Sequence, residues 1–249
     1  MTKEGADDFS LRQWPVAILA GGLATRLGSA VQNTPKALLP VAGKPFLVHQ
    51  LQLLAGAGFR RIVLCVGHLG EQIQAAVRDG TEFDLDISYS FDGPVLRGTG
   101  GALKNASAQL GSAFAILYGD SYLSLDYKKV IQLYLRSRQS GLMTVYRNGG
   151  QLDKSNVWLE GGAIRVYDKA NQLPQMEHID YGFAVLRADV LASYPESEPF
   201  DLAEVYQNLI ASRNMAVYEV TERFYEIGSK KGWAELDAVL QQGSGSTRP

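Results

Sequence analysis

Short apolar runs alternate along the first half of this chain with segments in which apolar residues recur every three or four positions. The runs predict buried strands at Val16–Ala20, Arg61–Val66, Leu85–Phe91 and Ala113–Leu117. The helically spaced segments predict helices at Pro45–Ala57 and Gly70–Arg78, and a third that starts at Gly98–Gly101 and ends at Leu110. Because strands and helices alternate, we expect a mostly parallel sheet with helices on both faces.

The second half of the chain is less regular. Apolar runs predict strands at Leu142–Arg147, Ile179–Leu186 and Ala216–Val220, and a hairpin over Asn156–Tyr167 that turns at Gly161-Gly162. Helical spacing predicts helices at Tyr127–Arg138, Ala203–Ala211 and Trp233–Leu240. A chain of 249 residues with this pattern is long enough for one domain with a full hydrophobic core.

A glycine turn follows the first predicted strand. Gly21-Gly22 allows a sharp bend and exposes backbone N–H groups to a ligand, since no Cβ stands in the way. Thr25-Arg26 and Pro35-Lys36 come next, and a guanidinium and an ammonium are suited to gripping a polyphosphate. We therefore predict a phosphate site with Arg26 and Lys36 as its cations.

The distribution of charge favours the same interpretation. The chain carries 24 basic and 26 acidic residues, yet the stretch 9–70 contains six basic residues and no Asp or Glu. A chance gap with solvated basic side chains is the alternative. Two common phosphate loops are excluded: Gly43-Lys44 is followed by Pro45 and not by Ser or Thr, and Ala24 occupies the second glycine of a dinucleotide fingerprint.

Asp120 follows the predicted strand Ala113–Leu117 within Tyr118-Gly119-Asp120-Ser121. The carboxyl ends of parallel strands meet at the crevice where α/β sheets bind ligands. Mg²⁺ beside phosphates is usually held by one or two carboxylates together with phosphate oxygens. Asp120 is thus a candidate Mg²⁺ ligand, and a turn aspartate without a ligand is the alternative.

The two blocks Gly21-Gly22-Leu23-Ala24-Thr25-Arg26-Leu27 and Pro35-Lys36-Ala37-Leu38-Leu39-Pro40 resemble the signature of the sugar-1-phosphate nucleotidyltransferases. The segments Tyr118-Gly119-Asp120-Ser121-Tyr122-Leu123 and Tyr225-Glu226-Ile227-Gly228-Ser229 are most similar to the short, single-domain heptose- or mannose-1-phosphate guanylyltransferases of that family. The resemblance implies a Rossmann-like three-layer α/β/α sandwich of the GT-A type with a mixed, mostly parallel sheet. It also implies a nucleotide half over about residues 15–125 and an acceptor half over about 126–241. We expect residues 1–14 and 242–249 to be flexible.

The resemblance assigns further residues by their place in the family pattern. It implies that Asp120 and Glu226, the latter in Phe224-Tyr225-Glu226-Ile227-Gly228-Ser229, hold Mg²⁺ as the cofactor. Acceptor binding falls to Lys169, Asp180 and Gly182. Contacts with the nucleotide are expected from Ala20, Gly21, Gly22, Thr25, Gly98, Thr99 and Gly100.

The implied reaction joins a nucleoside triphosphate to a sugar 1-phosphate, gives a nucleotide sugar and releases pyrophosphate. The resemblance favours GTP with D-glycero-D-manno-heptose 1-phosphate or mannose 1-phosphate. An N-acetylmuramate-1-phosphate uridylyltransferase, or a nucleotide-sugar-binding protein without activity on the same fold, remains the alternative. We expect neither nucleic acid nor a membrane as a partner, and a monomer or a homodimer.

Two remaining features concern the compartment and the histidines. Cys65, the single cysteine, lies in the apolar run IVLCV, and the polar start of the chain has no apolar signal segment. We therefore expect a cytoplasmic protein in which Cys65 is a small core residue. His49, His68 and His178 lack metal-ligand spacing, and His68 is a candidate for a substrate contact.

Overall fold

The structure, a computed structural model, describes residues 9–22, 33–196 and 198–245. Its strands in chain order are β1 (Pro15–Leu19), β2 (Pro40–Val41), β3 (Lys44–Pro45), β4 (Arg61–Val66), β5 (Asp86–Phe91), β6 (Ala113–Tyr118), β7 (Ser121–Tyr122), β8 (Gly141–Arg147), β9 (Val157–Glu160), β10 (Ala163–Tyr167), β11 (His178–Arg187), β12 (Met215–Val220) and β13 (Tyr225–Glu226). Its helices are α1 (Phe46–Ala57), α2 (Gly70–Val77), α3 (Gly98–Leu110), α4 (Tyr127–Ser137), α5 (Leu202–Ala211) and α6 (Lys230–Gly245).

Nine strands form one central sheet in the order β12-β8-β11-β6-β1-β4-β5, with the β9–β10 hairpin attached to β11 at His178. Strands β6, β1, β4 and β5 are mutually parallel, and β12 is parallel to β8. Strand β11 is antiparallel to both β6 and β8, and β10 is antiparallel to β9. The predicted mixed, mostly parallel sheet is confirmed.

The helices lie on both faces of this sheet because successive strand residues point to opposite faces. In β1, Val16 and Ile18 pack on one face with apolar residues of α1, α2 and α4. Ala17, between them, packs on the other face with residues of α3 and α5. All three β1 residues are fully buried, as expected for a parallel strand covered on both sides. The predicted three-layer sandwich is therefore confirmed.

Two small antiparallel strand pairs lie outside the central sheet, and the apolar pattern did not predict them. Strand β13 pairs with β7, so that Glu226 lies opposite Ser121. Strands β2 and β3 form the second pair. Helix α6 docks against this second pair, since Trp233 Nε1 donates to the Pro40 carbonyl at 2.8 Å and Asp237 Oδ1 accepts from the Ala42 amide at 2.7 Å.

The ends of the chain differ from the sequence-based boundaries. Residues 9–14 belong to the assigned flexible N-terminus, yet Leu11 is buried and Trp14 packs edge-on against Tyr134 at 6.1 Å between ring centroids. Helix α6 begins before Trp233 and continues to Gly245, past the assigned domain end at 241. Packed residues thus begin before residue 15, and helix α6 continues beyond residue 241. Within the described residues, no helix combines the length and apolar character needed to cross a membrane.

Candidate active site

A cavity of about 340 Å³ opens at the carboxyl ends of β1, β4, β5 and β6. Strand β1 has β4 on one side and β6 on the other, which makes this edge the point where the strand order reverses. The cavity is lined by Leu19, Ala20, Gly21, Gly22, Lys36, Ala37, Cys65, Asp92, Leu96, Gly98, Thr99, Ala102, Tyr118, Gly119, Asp120 and Lys169. Predicted nucleotide, metal and acceptor residues therefore share one space.

The turn after β1 lies at the floor of this cavity. The Ala20 amide donates to the Cys65 carbonyl at 2.9 Å, which continues the contact between β1 and β4. A Cβ on Gly21 would lie 3.1 Å from the Gly67 amide nitrogen, so the residue without a side chain lets the two chain segments approach. Among the described residues, none lies within 4 Å of a Cβ placed on Gly22. Thr25 and Arg26, which were assigned to the same site, lie outside the described residues.

Lys36 and Asp120 form an ion pair, with Lys36 Nζ 2.8 Å from Asp120 Oδ2. Lys36 begins a short 3-10 helix after Pro35, and Asp120 follows the end of β6 after Gly119. Their side chains are 20% and 36% exposed, so the pair faces the cavity without being sealed from water. The sequence analysis assigns the two residues separate roles, whereas the structure places them in direct contact.

Gly119 explains how Asp120 reaches this position. The Gly119 amide donates to the Leu19 carbonyl at 3.1 Å, and a Cβ on Gly119 would lie 2.4 Å from that oxygen. Any side chain at 119 would therefore push the end of β6 away from β1. The close approach brings Asp120 beside the glycine turn.

Glu226 is held by its own loop beside Asp120. Its Oε2 accepts from the amides of Gly228 and Ser229, and its Oε1 accepts from Ser229 Oγ at 2.7 Å. A Cβ on Gly228 would lie 2.6 Å from Glu226 Oε2 and 3.4 Å from Asp120 Oδ2. The two predicted metal ligands consequently border the same small space, and both line a second cavity of about 600 Å³ that adjoins the first at Gly22 and Lys36.

The two carboxylates suit Mg²⁺ by their chemistry. Mg²⁺ takes oxygen ligands and is commonly bound by one or two carboxylates plus substrate phosphates. The described part of the chain contains no cluster of three or more His, Cys, Asp or Glu residues arranged to hold a metal. A metal here would have Asp120 and Glu226 as its protein ligands and would take the rest of its shell from water or from substrate oxygens.

The glycines of Gly98–Gly101 pack against residues that precede α5. A Cβ on Gly100 would lie 2.3 Å from the Phe200 ring, and one on Gly98 would lie 2.5 Å from the Phe200 carbonyl oxygen. Thr99 Oγ1 accepts from the Leu202 amide at 2.8 Å. Gly98 and Thr99 also line the cavity, whereas Gly100 does not. The absence of a side chain at Gly100 is thus explained by this packing.

The predicted acceptor residues lie around Tyr118, and among them Lys169 lines the cavity whereas Asp180 and Gly182 do not. Lys169 lines the cavity, and its Nζ lies 5.4 Å from the centre of the Tyr118 ring. Asp180 Oδ2 accepts from the Tyr118 hydroxyl at 2.8 Å, and its Oδ1 accepts from the Gly182 amide at 3.1 Å. Gly182 has φ +100°, a conformation that favours glycine.

Asp92 is a cavity residue that the sequence analysis did not identify. It directly follows β5 and is 6% exposed. Asp92 Oδ2 accepts from the Arg97 amide at 3.2 Å, while Oδ1 is buried with no hydrogen-bond partner among the described residues. Burial raises the pKa of this carboxyl. The rule that identified Asp120, an acid after a predicted strand, would have found Asp92 as well.

Tyr118 was likewise missed as a site residue, although it stands beside Asp120 in the sequence. It was treated as part of a motif, and its contact with Asp180 joins residues 62 positions apart. His68 is exposed and is not among the described residues that line either cavity.

A model of the MobA-like NTP transferase domain matches residues 16–224, most of the chain. The chain belongs to this family. The chain is 25% identical over 240 residues to the mannose-1-phosphate guanylyltransferase of Mycobacterium tuberculosis, and the match covers 94% of this chain and 67% of that protein.

Two further relatives differ in nucleotide and sugar. A UTP–glucose-1-phosphate uridylyltransferase of Synechocystis is 26% identical over 245 residues, with 90% of this chain and 63% of that protein covered. The D-glycero-alpha-D-manno-heptose 1-phosphate guanylyltransferase of Campylobacter jejuni is 26% identical over 213 residues, with 85% and 93% covered. The chain thus spans about two thirds of the length of the first two relatives. The resemblance to sugar-1-phosphate nucleotidyltransferases is confirmed.

The fold is shared with solved structures. HddC from Yersinia pseudotuberculosis, complexed with GMP-PN, superposes with a TM-score of 0.75 over 91% of this chain and 99% of that chain, at 24% identity. The NTP transferase domain therefore has the architecture of these proteins.

Proposed function

We propose that this protein is a sugar-1-phosphate nucleotidyltransferase that converts a nucleoside triphosphate and a sugar 1-phosphate into a nucleotide sugar and pyrophosphate. One observation carries the proposal. Lys36 and Lys169 line the same cavity, with the Lys36–Asp120 pair next to the turn at Gly21-Gly22. Two separate cations in one cavity suit a reaction that must bring two phosphate-bearing substrates together.

The proposed chemistry asks the protein mainly for positioning and for neutralisation of charge. An oxygen of the sugar phosphate attacks the α-phosphorus, and the bond to pyrophosphate breaks. Amides at the Gly21-Gly22 turn bind the triphosphate, Lys36 stabilises charge at the α-phosphate, and Lys169 binds the acceptor phosphate. Asp120 and Glu226 would hold Mg²⁺, which when bound neutralises phosphate charge. We keep Arg26 as a predicted triphosphate ligand.

GTP is the proposed nucleotide because of the position of Asp92. Strands β1 and β4 lie between β6, which precedes Asp120, and β5, which precedes Asp92. With about 4.8 Å between neighbouring strands, the ends of β5 and β6 are about 14 Å apart. This separation suits a nucleotide with its α-phosphate near Lys36 and its base near Asp92.

A buried carboxylate at the base end favours guanine. A carboxylate only accepts hydrogen bonds, and guanine offers it two adjacent donors, the ring N1–H and the exocyclic amino group. Uracil offers one N–H flanked by two carbonyl oxygens, and the negative charge of a carboxylate repels those oxygens. Asp92 lines the cavity and its Oδ1 has no partner among the described residues, so a turn of the side chain, which now buries this oxygen, would let it accept from guanine. The proposed acceptor is mannose 1-phosphate or the heptose 1-phosphate, by analogy with the relatives; a uridylyltransferase acting on N-acetylmuramate 1-phosphate is the alternative.

The test measures pyrophosphate release for each of four nucleoside triphosphates with a panel of sugar 1-phosphates and Mg²⁺. Lys36→Ala should lower turnover by about 10²-fold or more, because it removes a preorganised charge at the reacting phosphate. Lys44→Ala is the matched control, since Lys44 is exposed and does not line the cavity.

Three outcomes are decisive. GTP-dependent release that Lys36→Ala abolishes supports the proposal. Release with UTP in preference to GTP overturns the assignment of guanine. Tight binding of nucleotide sugars with no release for any pair identifies a binding protein and overturns the enzymatic proposal.

A further inference from the structure

Three hydrogen bonds fix the carboxylate of Asp180. The hydroxyls of Tyr118 and Tyr167 donate to Oδ2 at 2.8 and 3.2 Å, and the Gly182 amide donates to Oδ1 at 3.1 Å. A carboxylate oxygen has about two acceptor sites, so the two phenols occupy Oδ2. Burial raises the pKa of Tyr167 well above the ordinary value, which keeps its hydroxyl protonated as a donor.

The Lys169 ammonium lies over the rings of the same two tyrosines. Its Nζ is 5.4 Å from the centre of the Tyr118 ring and 5.8 Å from that of Tyr167, within the range of cation–π attraction. Because each hydroxyl is tied to Asp180, the rings have a fixed orientation toward the ammonium. Its ionic contact within the described ranges is a long one, 3.9 Å from Nζ to Asp201 Oδ1.

Asp180 and Lys169 are also linked by charge. Burial raises the pKa of Asp180, and the positive charge of Lys169 together with the tyrosine and Gly182 hydrogen bonds opposes that rise. The positive charge of Lys169 therefore stabilises the ionised form of Asp180, and the carboxylate in turn attracts the ammonium. Lys169 stays 43% exposed at the cavity wall, so a phosphate can reach it.

We propose that Tyr118, Tyr167 and Asp180 are positioning residues that orient the Lys169 ammonium toward the acceptor phosphate. Asp180 then acts on the acceptor through Lys169, in place of the direct sugar contact that the sequence resemblance implied. This inference rests on the proposed function, because it takes Lys169 as the acceptor-phosphate ligand.

A double-mutant cycle tests whether Asp180 acts on the acceptor through Lys169 or contacts the sugar directly. Lys169→Ala removes the cation, Tyr118→Phe removes one donor to Asp180 but keeps the ring, and Asp180→Asn removes the charge. We expect Tyr118→Phe to raise the KM for the sugar 1-phosphate roughly 10- to 150-fold, the range for loss of a hydrogen bond to a charged group. The KM for the nucleotide should stay within about twofold, the scatter expected between uncoupled sites.

The decisive measurement is additivity. When Lys169 is already Ala, adding Tyr118→Phe or Asp180→Asn should change acceptor KM by less than about twofold, since the residues act through the missing ammonium. Multiplicative effects of Asp180→Asn and Lys169→Ala would show that Asp180 contacts the acceptor independently, and would overturn the inference. Tyr167→Phe provides a second variant should Tyr118→Phe not fold.

Tyr127→Phe is the matched control. Tyr127 is a buried tyrosine whose hydroxyl donates one hydrogen bond, to the Leu123 carbonyl at 2.9 Å, and it packs on the opposite face of the sheet. Its loss should affect stability alone, with acceptor and nucleotide KM unchanged. An equal rise in acceptor KM for Tyr127→Phe and Tyr118→Phe would indicate general destabilisation and would refute the positioning role.

The failure of this inference is distinguishable from failure of the proposed function. The same cycle can be followed by calorimetric binding of a sugar 1-phosphate, which needs no turnover. Absence of pyrophosphate release with a non-additive binding cycle overturns the enzymatic proposal and supports the positioning unit. Turnover with an additive cycle supports the enzymatic proposal and overturns the positioning unit.

Discussion

Glu226→Gln tests whether Glu226 is a metal ligand or a clamp for its own loop. The carboxylate already accepts from the Gly228 and Ser229 amides and from Ser229 Oγ. Both amides donate to Oε2, which leaves acceptor capacity on Oε1 alone. A metal would therefore bind through Oε1, or the loop would have to release Oε2.

The magnitude follows from these contacts. Gln can keep its carbonyl oxygen against the two amides and turn its amino group to Ser229 Oγ, so that the hydrogen bonds persist but lose charge assistance. Charged hydrogen bonds contribute about 1.5–3 kcal/mol and neutral ones about 0.5–1.5 kcal/mol, so we expect a loss of about 1–3 kcal/mol in the free energy of unfolding. For a domain of this size that lowers Tm by about 2–12 °C.

The assay combines thermal unfolding with a Mg²⁺ titration of pyrophosphate release. If Glu226 is a ligand, the Mg²⁺ concentration for half-maximal activity should rise at least about 10-fold, since one of two carboxylates is removed. Glu235→Gln is the matched control. Glu235 lines the same second cavity but pairs with Arg223 at 2.6 Å, so its loss should leave the Mg²⁺ requirement unchanged.

One result would refute the reasoning about the metal. Glu226→Gln that lowers Tm but has the same Mg²⁺ requirement as the parent protein would show that Glu226 only holds its loop. Asp120 would then be the remaining carboxylate candidate of the pair.

Three further predictions concern buried groups. Burial raises the pKa of Asp92, so its ionised form destabilises the fold as pH rises above the unfolded-state pKa. Asp92→Asn should therefore be more stable than the parent protein at pH 8, and the difference in the free energy of unfolding should shrink toward pH 4. A difference in chemical denaturation that does not change with pH would contradict this. Burial raises the pKa of the Cys65 thiol to about 12, so iodoacetamide should leave it unmodified at pH 8 until the protein unfolds, as judged by mass spectrometry. Gly100→Ala should destabilise by about 1–3 kcal/mol against Phe200, whereas Gly56→Ala, in open space, should not; equal Tm values for the two variants would rule out the steric account.

Local pattern was sufficient for the layered fold. Strand β4 was predicted with its observed bounds, and α1 and α5 were predicted to within a residue or so, because the period of apolar residues records which side of an element is buried. The turn at Gly161-Gly162 joins β9 to β10 as predicted, and both glycines have positive φ. Such features depend on residues that are close together in the chain, and they can therefore be predicted from the sequence.

The short strand pair of β7 and β13 could not be predicted in this way. Strands β7 and β13 have two residues each, too few to show a period, and they pair residues about 100 positions apart. Their pairing places Glu226 next to Asp120, so the proximity of the two predicted metal ligands became visible only in three dimensions. The family pattern suggested both residues but not the loop hydrogen bonds that occupy Glu226.

The sequence by itself determined the chemistry that is present: an acid-free glycine turn, Lys36, the acid after β6 and Lys169. Tertiary structure alone decided which of these groups touch. The Lys36–Asp120 ion pair spans 84 residues, and the contact of Asp180 with Tyr118 spans 62. Such contacts depend on strand order and on the approach of one backbone to another, as at Gly119 against Leu19, and a single sequence records residue types and local periods but not those distances.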